Sequence, residues 1–426
     1  MNLYYSGIGI ARCLHDSGIE VYGLSAHGDA PGNRSRLFRR VHKVPDSSGD
    51  PEVLCESLIR IRKNYQDAPV IFPTRDFDVL FLEQNRQRLG SFYRLPQTDG
   101  CAVSRLLDKL EVARVAEHLG IDTPRTLSCR SAQEVMCAQK SMNFPVILKP
   151  RSSHQWRGIA SWKRVGAKKV ILVGSTEELA SEYRKVSMVT EEVILQEYIP
   201  GEDGDCVSFG CYMNRKGDLE GYFTTRKVIQ SPALLGTGCV VETADIPEIV
   251  SPSVELLQSF GYAGIAEVEF KYNKEKSVYS LIEINPRHWD QHELGRLVGV
   301  NLTMIALSDM ISERSATQRH SYRGHEKEKW IAEREVFLYL VKEAYLAIRT
   351  LGYSRRRPES SGIASSIRSL RKRLGEAAVI FRGRRVFGLF SLVDPVPFMV
   401  MSLQIAAELF RALATHVRKG LFFRGR

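Results

Sequence analysis

The chain has 426 residues, of which 43% are apolar and 26% charged, and a formal net charge of +11. This is an ordinary globular balance with enough chain for two to four structural units, which excludes a disordered or low-complexity protein. No run of about twenty uncharged apolar residues occurs, which excludes a spanning helix.

The base is unevenly spread. Residues 331–426 hold 18 Lys/Arg against 7 Asp/Glu, so the first 330 residues are close to neutral. Eight cysteines lie at 13, 55, 101, 129, 137, 206, 211 and 239, with no Cys-x-x-Cys pair. That scatter gives no zinc spacing and fits reduced thiols. Met1–Ser6 lacks the basic start of a secretory leader, so a cytoplasmic location is expected.

Residues 1–98 read as alternating helices and strands. Gly7–Ser17 has a helical apolar stripe at Ile10, Cys13 and Leu14. Gly18–Leu24 is a helix stop and a short strand. Pro51–Tyr65 is a helix capped by Asp50. Pro69–Pro73 is a strand and Asp76–Arg88 a helix. Such alternation indicates a parallel α/β sheet. The chain starts almost at the Gly7-x-Gly9 loop, without the apolar strand such a sheet normally opens with. A start lying upstream, or a truncation, is the expectation, because losing a central strand would expose a sheet edge.

Residues 99–130 form a hinge, with a helix from Asp108 to Leu119 stopped by Gly120. Pro145–Pro150 is an apolar strand ending in Lys149. A lysine at the end of a buried strand needs an anion or solvent. Ser175–Lys185 is a helix with a capping box from Ser175 to Glu178. Glu192–Ile199 is a strand that leads into Pro200-Gly201-Glu202. Cys206–Met213 and Leu219–Thr225 form a hairpin, which puts Arg226 and Lys227 at a strand end. Gly236-Thr237-Gly238 reads as a flexible turn, and Ile249–Phe260 as a helix stopped by Gly261.

Ala263–Arg287 then reads as two strands joined by the polar turn Asn273–Lys276. Alternation puts Glu267 and Glu269 on one face, with Val268 and Phe270 on the other. In the second strand Glu283 and Asn285 share a face. If the strands pair, Glu269 stands beside Glu283 and Asn285. Carboxylates held close repel unless a proton or cation lies between them. Such hard oxygen ligands suit Mg²⁺, which takes one or two carboxylates plus phosphates. The competing reading is a solvated strand face. His288, Asp290 and His292 follow, and either face a substrate or serve the structure.

Glu269 followed by Glu283-x-Asn285-Pro286-Arg287 resembles the metal and phosphate end of the ATP-grasp superfamily, near its carbamoyl-phosphate-synthase-like and carboxylate–amine ligase members. The resemblance covers about residues 5–310. It implies a mixed α/β and α+β chain: a partial Rossmann-like domain over 1–98, then an ATP-grasp domain over 99–310. That domain would divide at about 185 and 186. A linker over 311–330 and a basic, mainly helical region over 331–426 complete the chain.

The resemblance also implies the ligands. Glu269, Glu283 and Asn285 would hold two Mg²⁺ ions, with Mn²⁺ as a substitute. Lys109 and Lys149 would reach the ATP phosphates. The loop over the phosphates, Arg151–Gly158, has one glycine where the family has several, so Ser153 and Arg157 would replace some backbone contacts. The backbone at Tyr198 and Ile199 would pair with the adenine edge, with Glu197 beside its amino group and Glu202 on the ribose. Arg287, with Arg226 or Lys227, would stabilise charge on the transferred phosphoryl group.

The expected activity is ATP-dependent joining of a small-molecule carboxylate to an amine through an acyl phosphate. The alternatives are a carbamoyl- or carboxy-phosphate enzyme, or a non-catalytic nucleotide-binding protein tethered to membrane by its tail. The tail reads as a helical cap with a solvated basic face, or as an amphipathic surface on anionic membrane at the inner face. No recognition motif accompanies its charge, so nucleic acid is not expected. A homodimer is compatible with the sequence.

Overall fold

The computed structural model describes every residue except 96–99, 153, 158–164, 167, 191, 312–319, 323, 325–326, 357–374, 376–377, 381 and 423–426. It is organised by two antiparallel-rich sheets that face each other across a cleft.

The N-terminal region opens with helix α1 (Tyr5–His15), strand β1 (Tyr22–Ser25) and strand β2 (Arg40–Lys43). Helices α2 (Pro51–Arg62) and α3 (Asp76–Gln84) follow. Asp50 caps α2 by accepting from the Glu52 amide at 2.9 Å. The expected parallel sheet is reduced to the β1–β2 pair and a single bridge between Val70 and Arg94. The run Pro69–Pro73 therefore does not extend into a ladder, and a proline at each end withholds the amide that a ladder needs. The helix expected from Asp76 to Arg88 breaks at Asn85, whose amide and side chain both turn back to the Phe81 carbonyl.

Helix α4 (Lys109–His118) is capped by Asp108, which accepts from the amides of Leu110 and Glu111. A four-stranded sheet comes next, built from β3 (Thr126–Cys129), β4 (Val146–Pro150), β5 (Ile171–Val173) and β6 (Val193–Glu197) in the order β3-β6-β4-β5. Helices α5 (Ala132–Ala138) and α6 (Thr176–Val186) cover one face of it. Val135, Leu179 and Tyr183 pack there on Val146, Leu148 and Leu195.

The larger sheet has eight strands. Its main path is β11-β10-β7-β8-β9-β13-β14. Those strands are β7 (Cys206–Met213), β8 (Leu219–Ser231), β9 (Thr237–Thr243), β10 (Gly264–Asn273), β11 (Val278–Asn285), β13 (Lys329–Ile331) and β14 (Arg385–Phe387). The two-residue β12 (His320–Ser321) pairs with β8. On one face, α4 and α7 (Val250–Ser259) pack Val112, Leu256 and Leu257 onto Phe209, Val268 and Ile284. On the other, α1 and α8 (Leu302–Ile311) pack Ile10, Leu14 and Ala306 onto Tyr212, Phe223 and Ile265.

Two strand limits differ from those expected. Strand β8 runs to Ser231, so Arg226 and Lys227 lie within it rather than at its end. Thr237 and Gly238 belong to β9, and the turn lies before them at Gly236, where a Cβ would fall 2.2 Å from the Ser231 carbonyl carbon. Only a residue without a side chain fits that approach.

The C-terminal region is tied to the core. Residues on either side of the expected boundary at 331 pair in one sheet, β13 with both β9 and β14. Helices α9 (Glu333–Arg356) and α10 (Val396–Phe422) flank this edge. Buried Arg12 of α1 donates to the carbonyls of Phe387 and Leu389, each at 2.6 Å, and pairs with Glu293 at 3.2 Å. Among the described residues no helix is long and apolar enough to cross a membrane.

Candidate functional site

A cleft of about 310 Å³ lies between the two sheets and the N-terminal region. Its size suits a small-molecule ligand. The β10–β11 hairpin forms its floor. The register sets Glu269 directly opposite Glu283 and Glu267 opposite Asn285, with an irregularity just after Glu269. All four side chains line the cleft. Val268 and Ile284, which alternate with them, are sealed in the core beneath.

The acids are not left alone. Lys227 Nζ meets Glu269 Oε2 at 2.5 Å, and Lys109 Nζ meets Glu283 Oε1 at 3.3 Å. Burial alone would lower the Lys227 pKa, but the neighbouring Glu269 and Glu267 carboxylates hold it above the usual lysine range. Asn285 Nδ2 donates to Glu267 Oε2 at 3.0 Å and to Glu269 Oε1 at 3.3 Å. Glu267 is buried beside Glu269, and burial first, then that like charge, push its pKa well above the carboxylate range.

Arg287 ends the hairpin and is held from three sides. Its Nε donates to Asp76 Oδ1 at 2.6 Å, one Nη to Asn285 Oδ1 at 3.0 Å and the other to the His288 carbonyl at 3.1 Å. Asp76 starts α3, so the N-terminal region fixes the arginine's aim. Ser6 Oγ does the same for Asp290, donating to it at 2.6 Å. His288 and His292 do not line the cleft. Both are buried against each other, and burial lowers the pKa of each, that of His292 to about 4.

The facing wall comes from the four-stranded sheet. Lys149, at the end of β4, is 3% exposed and donates to Gln196 Oε1 at 2.8 Å. Burial, and then Lys109 nearby, lower its pKa to about 7. Gln196 is fixed in turn by Thr126 Oγ1 at 2.7 Å. Glu197, Tyr198 and Ile199 continue the wall, and Glu197 Oε2 accepts from the Arg125 amide at 3.3 Å. The Lys271 ammonium lies over the Tyr198 ring at 5.0 Å and completes that end.

Among the residues singled out from the sequence, the cleft thus brings together Lys109, Lys149, Glu197, Tyr198, Ile199, Lys227, Glu269, Glu283, Asn285 and Arg287. Two others lie elsewhere. Glu202 is exposed and serves a short 3-10 turn, where its amide donates to Asp205 Oδ2 at 2.8 Å. Arg226 is next to Lys227 on the strand and so projects from the opposite face, beside Tyr279. Ser153 and the Arg157 side chain lie outside the described residues.

Sequence reasoning gave no role to several residues of the site. Glu267 shares the face of Glu269 by simple alternation, which was a sufficient signal. Lys271 extends the same strand, but the irregularity after Glu269 hides its direction. Asp76 and Gln196 carry no sequence signal of their own, because only the fold sets them beside Arg287 and Lys149.

The hairpin offers hard oxygen donors at one end of the cleft. Among the described residues no group of three or more His, Cys, Asp or Glu side chains forms a metal cage. Glu269, Glu283 and Asn285 supply two carboxylates and an amide, a donor set that would need phosphate oxygens and water to complete the shell of an ion such as Mg²⁺.

No family model matches the chain. The chain is 23% identical over 358 residues to a D-aspartate ligase of Enterococcus faecium, across 80% of this chain and 83% of that protein. Among solved structures, the biotin carboxylase domain of Hydrogenobacter thermophilus 2-oxoglutarate carboxylase, a dimer in complex with MgADP, ADP and bicarbonate, aligns with a TM-score of 0.59 at 15% identity. That alignment covers 75% of this chain and 70% of that one. N5-carboxyaminoimidazole synthetase from Staphylococcus aureus, complexed with ADP, aligns with a TM-score of 0.58 at 15% identity, over 76% and 79% of the two chains. At these identities the solved structures speak to the fold alone.

Proposed function

We propose that this chain, which belongs to the ATP-grasp superfamily near its carboxylate–amine ligase members, is an ADP-forming ligase that joins a carboxylate to an amine through an acyl phosphate. One observation carries the reading. The hairpin register sets Glu269 against Glu283 and Glu267 against Asn285, on a cleft whose far wall holds Lys149, with Lys109 reaching in to Glu283. The unit that supplies this chemistry is residues 99–310, with residues 1–98 closing one end of the cleft.

Lys149 and Lys109 hold ATP phosphate oxygens, and the backbone at Tyr198 and Ile199 takes the adenine edge beside Glu197. Glu269, Glu283 and Asn285 would hold Mg²⁺, two ions in the full complex, with Mn²⁺ as a substitute. Such a metal, when bound, would supply charge neutralisation at the ATP phosphates. Lys227 and Lys109 pair with those acids and stand beside the positions the phosphates would take. Arg287 is aimed by Asp76 and stabilises charge on the transferred group. Glu202 and Arg226, which do not line the cleft, take no part.

The steps balance without a further reactant. A substrate carboxylate oxygen attacks the γ-phosphorus, and the bond from that phosphorus to the β–γ bridging oxygen breaks, releasing ADP. The amine lone pair attacks the acyl carbon of the resulting acyl phosphate. Phosphate leaves, the nitrogen loses a proton, and an amide remains. The D-aspartate ligase likeness spans most of both chains, which makes amino acids the first carboxylates to try.

The test is ADP and phosphate release from the purified full chain, with acid alone, amine alone and both together. Full turnover is expected only with both. Glu283→Ala is expected to lose at least about a hundredfold in kcat. A folded Glu283→Ala protein with undiminished turnover would remove the metal assignment, and turnover with bicarbonate in place of the acid would favour a carboxy-phosphate enzyme.

A further inference from the structure

We propose that α10, the residues leading into it and the arginine loop beside it form one face that lies on an anionic lipid surface. Among the described residues, eleven of the seventeen large apolar side chains left exposed fall between residues 337 and 410. They are not scattered. On α10, Met399, Leu403 and Phe410 are 57%, 71% and 73% exposed, and Ala406 lies between them. Spacings of four, seven and eleven residues place all of these on one stripe. A second stripe, Phe398, Met401 and Ile405, is spent on the core, packing against Ile8 and Leu389. The helix is therefore apolar on two sides while the described residues cover one. Leu392, just before the helix, is 87% exposed.

The charge around this stripe has an ordered source. A short 3-10 turn at Pro31–Arg34 packs against α10. Ser35 Oγ donates to Asp394 Oδ2 at 2.5 Å, the Arg36 amide donates to Asp394 Oδ1 at 3.2 Å, and Gln404 Nε2 donates to the Asp29 carbonyl at 2.7 Å. These bonds fix the segment carrying Arg34 and Arg36, both exposed, against α10, and the exposed Arg39 and Arg40 follow it in the chain. Of the four, Arg39 pairs loosely with Glu20, at 3.6 Å. Between residues 30 and 45 the sequence has no acid. Asp394, the acid closest to Leu392, is fully buried in its bonds to the loop. Glu408 is engaged by Arg334 at 2.9 Å. Asp29, next to the loop, is exposed and accepts from the Tyr4 hydroxyl at 3.3 Å, whereas Asp394 is turned inward, Glu408 is paired and the arginines are turned outward.

A second protein surface would be expected to match those arginines with acids, and this stripe offers a second copy of the chain apolar groups ringed by like charge. An interface of acyl chains and anionic headgroups satisfies both parts, with the helix lying in the plane of the surface. Attraction of about 1 kcal/mol per basic residue near such a surface corresponds to about fivefold in affinity each.

The test is flotation of the full chain with two kinds of vesicle, pure phosphatidylcholine and the same lipid with about one third phosphatidylglycerol. Binding to the anionic vesicles is expected, weakening about fivefold for each charge lost in Arg34→Gln and Arg36→Gln. Leu403→Glu combined with Phe410→Glu is expected to abolish it with melting temperature unchanged, since both side chains are already in solvent. Three results would overturn the proposal: no flotation with anionic vesicles at low salt, equal flotation with neutral ones, or a lipid-free dimer that the Leu403→Glu/Phe410→Glu pair dissociates. The readout is independent of ligase turnover, so failure here leaves the reaction untouched.

Discussion

The two walls of the cleft solve the same electrostatic problem in opposite ways. The four-stranded sheet buries Lys149 against a neutral amide, Gln196, and burial lowers the lysine's pKa to about 7. The hairpin buries Glu267 beside Glu269, and burial raises the glutamate's pKa. One wall carries a cation that gives up its charge and the other an anion that gives up its own. Phosphate placed against Lys149 would restore the first charge, and a divalent cation at the hairpin would restore the second. Each wall is thus incomplete in the sense that its proposed ligand would correct.

The largest effect is expected on the lysine wall. Lys149→Met is expected to reduce kcat by about 10²–10³, the loss typical of one preorganised charge donor. It also gives a thermodynamic signature. The folded pKa of Lys149 is depressed, so its favourable contribution is present above the ordinary lysine value and is lost as pH falls toward about 7. The ligand-free variant should therefore melt higher than the parent at neutral pH. Titration calorimetry at about pH 8 should show proton uptake on ATP binding in the parent and none in the variant. An ATP-binding heat that does not depend on the buffer in the parent would break the contrast between the walls.

The hairpin wall predicts the opposite sign and a smaller effect. The folded pKa of Glu267 is raised, so its contribution is fully present below the ordinary carboxylate range and is lost as pH rises through the folded value. Glu267→Gln keeps an acceptor for Asn285 and removes the charge. Its ligand-free melting temperature is expected to exceed the parent's by about 2–4 °C at mildly alkaline pH and to match it in acid. A melting curve shifted equally at both ends of the pH range would mean that shape, not charge, is what the substitution changed.

What the sequence showed of this contrast depended on how local each signal was. Alternation along Ala263–Arg287 sufficed for Glu269, Glu283 and Asn285, because strand geometry alone sets those faces. The burial of Lys149 followed from the apolar run before it. Asp76 stayed invisible, since nothing near it in sequence says that Arg287 will arrive 211 residues later. Strand β14 was hidden for another reason. Three residues inside a basic cluster are too few for a period, and only pairing with β13 makes them a strand. The N-terminal sheet was overestimated because helix and strand patterns report propensity, while a ladder also needs free amides, which prolines at 69 and 73 withhold.

The smallest expected effect separates neighbours. Arg226 and Lys227 look interchangeable as cations at a strand end, and the longer β8 sends them to opposite faces. Lys227 meets Glu269, whereas Arg226 lies by Tyr279 with its Nε buried and without a hydrogen-bond partner. An unsatisfied buried donor carries a desolvation cost of about 1–3 kcal/mol, which a long apolar side chain avoids. Arg226→Met should therefore leave kcat and KM within about twofold of the parent, with stability equal or slightly higher. Lys227→Met, by contrast, strips Glu269 of its cation and should lower kcat by at least about tenfold. Comparable losses in both variants would mean that the strand presents both cations to the reaction, and the face assignment along β8 would have to be redrawn.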